Sequence, residues 1–495
     1  MRRSGPVLSL LAAYAALSVA ISLHRQLLTA APSRIALVGV ALLLIAAALV
    51  GQHVRLPAWR RWSRTGSLAE RGPAAGFGPG WPAISRSLGR WDLVLLGLVL
   101  TLWVELGSQL ALVIDIGNRS PSMRELAIGL FGVTGVVGAL YLPWVLPRAG
   151  EWPSARGVRL RRLFVVVMVL AAALKIAAIF AFPTPTIDVW RMMQAGARLL
   201  SAGEDPYATF MPEVLAAGRG HGYPVSSYVY APSMLLVTWP FYLVFGDYRY
   251  AYVVADLAAC GLLLLIARGA GDRARVDRYA ELLALLLLMH PVAFGKAYSD
   301  ELLVPFLLLA VWLGQTRPGS WMHAAAAGFL VSLKLYLVFL LPLMVLQVVV
   351  PARRRALAVT VFALAASASA LPFLLWDLAA FVDQAVLFHL RTPALPHGMG
   401  FAAWLSSCCA LSWPAWTGPV AAGLLSLLGA QLTRGRADGA WLVWGVGGCL
   451  VGFFFGANLF PNYLHFVMAM IVAAGLELLS KPDHAVAAGA RPVSS

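Results

Sequence analysis

Charged side chains are scarce in this chain. Asp, Glu, Lys and Arg make up 12% of its 495 residues, against about a quarter in ordinary soluble domains. Such a shortage argues against a large water-facing surface. Cysteine is scarcer still: Cys260, Cys408, Cys409 and Cys449 are the only four. Two of them are adjacent and none has CxxC or Cys/His spacing, which argues against a disulfide framework and against a zinc site. All four lie in apolar surroundings and read as buried small hydrophobes. Familiar catalytic signatures are missing too. HExxH, GxSxG and a dinucleotide glycine pattern do not occur, and "GRGHG" at 218–222 lacks the lysine–hydroxyl ending of a phosphate-cradling loop. Alternating segments of about ten residues, the mark of a membrane β-barrel, do not recur. Neither do a fixed-period repeat or the matched interrupted helices of secondary transporters.

What is present is hydrophobicity, at 60% of the residues. Apolar runs near twenty residues recur along the chain, each long enough to cross a hydrocarbon core of about 30 Å. They predict an all-α polytopic membrane protein with about 14 transmembrane helices and external juxtamembrane helices. The spans fall near 5–23, 35–54, 92–114, 126–147, 163–182, 250–268, 279–295, 301–316, 319–334, 336–351, 356–375, 414–432, 439–457 and 462–480. The first resembles a signal peptide, but its length and the second run behind it favour an uncleaved helix.

The formal charge of +16 is not spread as nucleic-acid binding requires, because no basic stripe with interleaved aromatics forms. Basic residues instead crowd alternate gaps between the runs, so both termini are predicted cytoplasmic. Residues 1–147 form a four-helix extension interrupted by a Gly/Pro/Arg-rich linker at 55–91. A second basic linker at 148–162 precedes a membrane domain at 163–480, and 481–495 form a cytoplasmic tail. "YAPSMLLVTWPFYLVF", 230–245, is apolar enough to span. Making it a span would place the arginines at 268–278 and 353–355 outside, so it is read as a juxtamembrane helix or hairpin at the outer surface, broken by Pro232 and Pro240.

Polar chemistry gathers in the outer loop 183–249. From Asp188 onward, Val189, Met192, Met193, Gly196, Leu199 and Leu200 form one helical face, and Asp188, Arg191, Gln194, Arg198 and Ser201 the other. The pattern predicts a helix lying in the membrane interface, apolar side down, and ending at Gly203 and Asp205-Pro206. Asp188 would then stand at the junction of a span and that helix. There it can act as a helix-start anion or as a general base reaching both a lipid-borne reactant and a polar acceptor.

Other external segments add candidates. Lys296 and Asp300 lie in the short turn of "HPVAFGKAYSDELL", with Lys296 suited to an anionic headgroup and Asp300 to a sugar hydroxyl or a basic neighbour. Lys334 in "GFLVSLKLYLVFLLP" falls where the chain turns at the outer face, and either binding of a lipid phosphate or snorkelling to the surface would explain a lysine in such a run. Arg391 can hold a phosphate, with His389 and His397 as titratable neighbours. Asn462, Tyr463 and His465 can line a sugar pocket. Lys175 reads better as snorkelling or structurally paired, and Glu105, Asp256 and Glu477 as structural pairs. No acid pair has convincing metal spacing, and in "GEDPY" Glu204 and Asp205 read first as loop-shaping residues.

The Asp after a span, then "GEDPY", then "YVYAPSMLLVTWPFYLVFG", resembles the first external loop of polyprenyl-phosphate-dependent glycosyltransferases of the C superfamily (GT-C). It is most similar to the family 87, mannosyltransferase-like proteins, where Asp is followed by Asp-Pro-Tyr and Tyr-Pro-Pro. Here Tyr230-Ala231-Pro232 is a partial match. "SLKLYLVFLLPLMV" is similar to that family's Lys-Pro segment, with Leu335 where proline is usual. "PFLLWDLAAFVDQAVLFHLRTP" and "LFPNYLHF" resemble its later part, so the likeness covers roughly 163–480; residues 1–147 depart from it. The resemblance implies a cavity facing away from the cytoplasm and a polyprenyl-phosphate sugar donor. It implies inverting transfer of a hexose, mannose most often, to a lipid or glycan acceptor, with Asp188 as general base and no cofactor. Donor phosphate would be met by Lys334, Arg391 and Lys296. Sugar or acceptor would be met by Asp205, Tyr207, Tyr230, Asp300, Asn462, Tyr463 and His465. The rival reading is a transporter or flippase for a lipid-linked sugar, which requires charged groups along a path near mid-bilayer.

Overall fold

A computed structural model describes residues 154–480 except 182, 186, 220–224, 269–279, 282, 285–298, 350, 393–399, 410, 435–438, 457–458 and 460. The spans expected within 1–147, the linker 55–91, most of the span 279–295 and the tail 481–495 lie outside the described residues. Among the described residues all regular structure is helical, with no strand. In chain order the helices are α1 (Ser154–Ala181), α2 (Asp188–Ser201), α3 (Pro212–Arg219), α4 (Pro232–Phe245) and α5 (Tyr250–Ala267). A 3-10 turn, Ser299–Leu302, leads into α6 (Leu303–Thr316), followed by α7 (Trp321–Leu333). A second, Leu335–Leu340, leads into α8 (Leu341–Val349). Then come α9 (Arg355–Ser367), α10 (Leu371–Trp376), α11 (Leu378–Val382), a π turn (Asp383–Leu387), α12 (Phe388–Arg391) and α13 (Phe401–Cys409). The chain closes with α14 (Thr417–Thr433), α15 (Ala440–Phe455) and α16 (Pro461–Ser480).

Several expected boundaries shift. The linker at 148–162 is partly helix, since α1 begins at Ser154. The run 356–375 divides into α9 and α10 around a turn at 368–370, and 336–351 opens with a 3-10 turn. Within segment 230–245, Pro232–Phe245 form a single continuous helix, neither a hairpin nor broken at Pro240. Pro232 takes the first-turn position that needs no N–H, Pro240 is carried inside, and Gly246 ends the helix at φ +72°. By length and composition α5 is the one helix among the described residues sufficient to cross a membrane, while α4, α7, α9 and α15 are shorter apolar helices.

Side-chain bonds show which helix ends lie together. Arg249 before α5 donates to the Ile179 carbonyl near the end of α1. Ser233 at the start of α4 bonds Ser332 near the end of α7 at 2.7 Å and Ser369 after α9 at 2.5 Å. Trp413 and Thr417, at the start of α14, both donate to the Phe455 carbonyl that ends α15. At the opposite end, Gly319 after α6 packs on Ala352 after α8, and Gly439 before α15 meets Glu477 near the end of α16. Helices that follow directly on one another, α6 and α7, α8 and α9, and α14, α15 and α16, therefore alternate in direction.

Close backbone approach builds the α14–α15 contact. A Cβ at Gly418 would overlap the Gly452 carbonyl and the Gly456 backbone, and one at Gly429 would lie 2.6 Å from Trp444 Cβ. Small residues at such crossings let helices meet by van der Waals packing without a hydrophobic drive between them. Gly418→Ala is expected to cost about 1–3 kcal/mol through overpacking, read as a lowered thermal midpoint. Gly423→Ala on the same helix meets nothing within 4 Å, and its midpoint should hold or rise. The cysteines correct one expectation: Cys260 and Cys449 are buried, but Cys408 and Cys409, at the end of α13, are exposed.

Candidate functional site

Helix α2 starts at Asp188, as its pattern predicts. Ile187 before it is extended, and the half-buried Asp188 accepts the Val189 N–H through Oδ1 at 2.9 Å. An anion in this first turn is favoured by the helix dipole. Val189, Met192, Met193, Gly196 and Leu199 are buried, while Arg198 and Ser201 are exposed. That face does not lie on lipid as expected. It packs on protein, with a Cβ at Gly196 falling 2.9 Å from the Tyr228 ring and 3.5 Å from Leu235. Arg249 clamps this corner: it is salt-bridged to Asp247 at 2.6 Å and lies 5.6 Å over the Trp190 ring of α2.

The loop after α2 is shaped by its own polar groups. Gly203 turns at φ +73°, and Asp205 Oδ1 accepts the Tyr207 N–H at 2.9 Å. Burial pushes the Asp205 carboxyl above its usual range, against the pull of the Tyr207 and Ala208 amides. Tyr207 is buried among Tyr228, Phe373 and Phe381 at ring distances of 5.0 to 5.4 Å. Its hydroxyl donates to the Tyr230 carbonyl at 2.6 Å. Tyr207 thus braces the 228–230 strip, with its hydroxyl committed there.

Beyond that strip lies a cluster of buried polar groups. Lys334, where α7 ends, donates to Asp300 Oδ1 at 2.6 Å, and the Tyr336 hydroxyl donates to the same oxygen at 2.6 Å. The two charged side chains are 6% and 0% exposed. Taking such a pair out of water is costly unless further contacts compensate. Three rings supply them, with the ammonium 5.5 Å from Tyr230, 5.3 Å from Tyr336 and 5.2 Å from Tyr463. Tyr463 is itself stacked on Phe453 at 5.0 Å. Asn462 precedes it in the first turn of α16, and His465 is buried farther along that helix.

His389 approaches the same strip from α12, and its Nε2–H donates to the Val229 carbonyl at 2.8 Å. Burial chiefly, then the Lys334 charge, lowers its pKa below the ordinary histidine value, and the Val229 bond opposes them. Below about pH 6.5 the unfolded chain therefore binds more protons than the folded one at this residue. Stability should fall as pH drops through that window. A thermal midpoint followed from about pH 7.5 to about pH 5.5 should decline more steeply in the wild type than in His389→Gln.

A second buried group lies deeper. Lys175 of α1 and Asp256 of α5 form an ion pair, both almost wholly buried, so that of the two readings of Lys175 the structural pair holds and snorkelling does not. Asp256 is about 9 Å along α5 from its start. Glu301 follows Asp300, is equally buried, and has no hydrogen-bond partner for Oε2 among the described residues.

The structure thus gathers Tyr230, Asp300, Lys334 and Tyr463, with Tyr207 and His389 as braces. It does not gather Arg391, whose 65% exposed side chain pairs with Asp383 at 2.6 Å. Lys296 lies outside the described residues. Sequence reasoning missed Tyr336; the one signal for it was a hydroxyl two residues after a lysine in an apolar run. No protein-family model matches the sequence, and no curated protein matches it.

Proposed function

We propose that this chain is an integral membrane glycosyltransferase that moves a hexose from a polyprenyl-phosphate donor to a lipid or glycan acceptor on the non-cytoplasmic face. One observation carries the reading. Segments that the charge pattern assigns to the outer side, around 228–230, 299–301, 334–336, 389 and 463, meet at one end of the bundle and bury their polar groups there. Exposed valines and leucines on α1, α9 and α14, among them Val169, Leu364 and Leu424, suit a lipid-facing belt.

In this scheme the Asp188 carboxylate takes the proton of the acceptor hydroxyl as its oxygen attacks the anomeric carbon. The bond from that carbon to the phosphate oxygen breaks, and the polyprenyl phosphate leaves with the electron pair. Positive potential placed where this charge develops is the largest expected catalytic contribution. Lys334 supplies it from within the wall. Acceptor and sugar hydroxyls would meet Tyr230, Tyr463 and neighbouring groups.

The test is incubation of the purified protein with radiolabelled polyprenyl-phosphate hexoses, mannose first, and candidate acceptors. Labelled product is the expected result. The second reading, a transporter or flippase, is favoured by the Lys175–Asp256 pair and Glu301, because charges inside such a bundle often mark a path. Flux of a labelled lipid-linked sugar across liposomes without product would select it.

A further inference from the structure

The opposite end of the bundle carries a different kind of site. An open cleft of about 380 Å³ lies where α6 ends and α7 and α9 begin. Arg317, Arg353 and Arg354 line it, and no acidic residue does. Among the described residues neither Arg353 nor Arg354 has an ion-pair partner, and Arg317 reaches only the Met322 sulfur, at 3.3 Å. The two loops bearing them are locked together. Gly319 turns at φ +67°, and a Cβ there would fall 2.6 Å from Ala352 Cα. Three like charges are therefore held on one rim by backbone contact, where they repel one another.

The positive-inside rule explains the sign of these residues. It does not explain their convergence on one cleft free of acids. Guanidinium forks match phosphate oxygens bidentately, so an oxyanion of that geometry relieves the repulsion. The surroundings extend the match. Trp321, 60% exposed, and Leu357 flank the arginines, and α9 continues with exposed Val359 and Leu364. An indole beside an apolar helix face is what a headgroup boundary favours.

We infer that this cleft binds a phosphate-bearing anion, supplied by the headgroup of an anionic phospholipid whose chains lie along α9 or by a soluble phosphate. The site rests on the helices lying in a bilayer, and not on the transfer chemistry at the other end. Failure of the transfer assay would leave it standing, and failure here would leave transfer untouched.

The experiment reconstitutes the full chain in nanodiscs of equal phosphatidylcholine and phosphatidylglycerol, then quantifies co-purified lipid by native mass spectrometry. Wild type should retain phosphatidylglycerol selectively. The triple variant Arg317→Gln, Arg353→Gln, Arg354→Gln should retain at least about tenfold less, with a thermal midpoint in phosphatidylcholine alone no lower than that of wild type. Should the triple variant not fold, Arg354→Gln alone should show a smaller loss of the same kind. A second arm adds inorganic phosphate. A midpoint rise in wild type that the variant lacks, without selective lipid retention, assigns the site to the soluble source. Equal phosphatidylglycerol retention by wild type and variant, with no phosphate response, overturns the inference.

Discussion

Asp188→Asn is expected to lower hexose transfer by about a hundred- to ten-thousand-fold, the range over which a general base contributes. The substitution is nearly isosteric. Its amide oxygen can still accept the Val189 N–H that Asp188 Oδ1 accepts at 2.9 Å, so the start of α2 is retained. The structural loss includes an anion near a helix N-terminus, worth about 0.3–1 kcal/mol. An enzyme therefore shows a large fall in kcat with a small shift in thermal midpoint. A protein in which Asp188 serves only to start the helix shows the small shift alone. Binding of the polyprenyl-phosphate donor should survive in the variant, which separates lost chemistry from a lost site.

The second large effect falls on Lys334. Lys334→Met leaves the Asp300 carboxylate, 0% exposed, without its ammonium, and removing one partner of a buried pair costs about 3–5 kcal/mol. The Tyr336 hydroxyl remains on the same oxygen but cannot neutralise it. Combining Lys334→Met with Asp300→Asn removes both charges and should recover most of that stability, measured by thermal unfolding. Activity distinguishes pin from participant. If Lys334 also stabilises the departing phosphate, the double variant is folded yet turns over slowly. If the pair only fastens α6 to α7, the double variant recovers activity along with stability.

Much of this was legible in residues that break a local pattern. The start of α2 at Asp188 and its stop near Gly203 follow from a switch in periodicity and a turn sequence, both local. Lys175, Asp256 and Lys334 stand out as charges in apolar runs, and burial makes each seek a partner. The partner of Lys334 was not legible, because Asp300 is 34 positions away and only packing selects it. The same holds for Tyr207. Its motif suggests a ligand contact, whereas three rings from distant segments close around it and direct its hydroxyl to Tyr230. The apolar face of α2 was recognised as a face, but hydrophobicity alone does not say whether lipid or Tyr228 covers it. Cys408 and Cys409 illustrate the converse, since an apolar neighbourhood in sequence does not ensure burial at the end of a short helix.

The most direct measurement is photo-crosslinking of the reconstituted chain with a diazirine-bearing polyprenyl phosphate, followed by peptide mapping. Label competed by unmodified polyprenyl phosphate should fall on peptides around Tyr230, Lys334 and Tyr463. Competed label confined to the Arg317–Arg353 end, or spread evenly over the exposed faces of α9 and α14, would contradict a donor site at the Lys334 end.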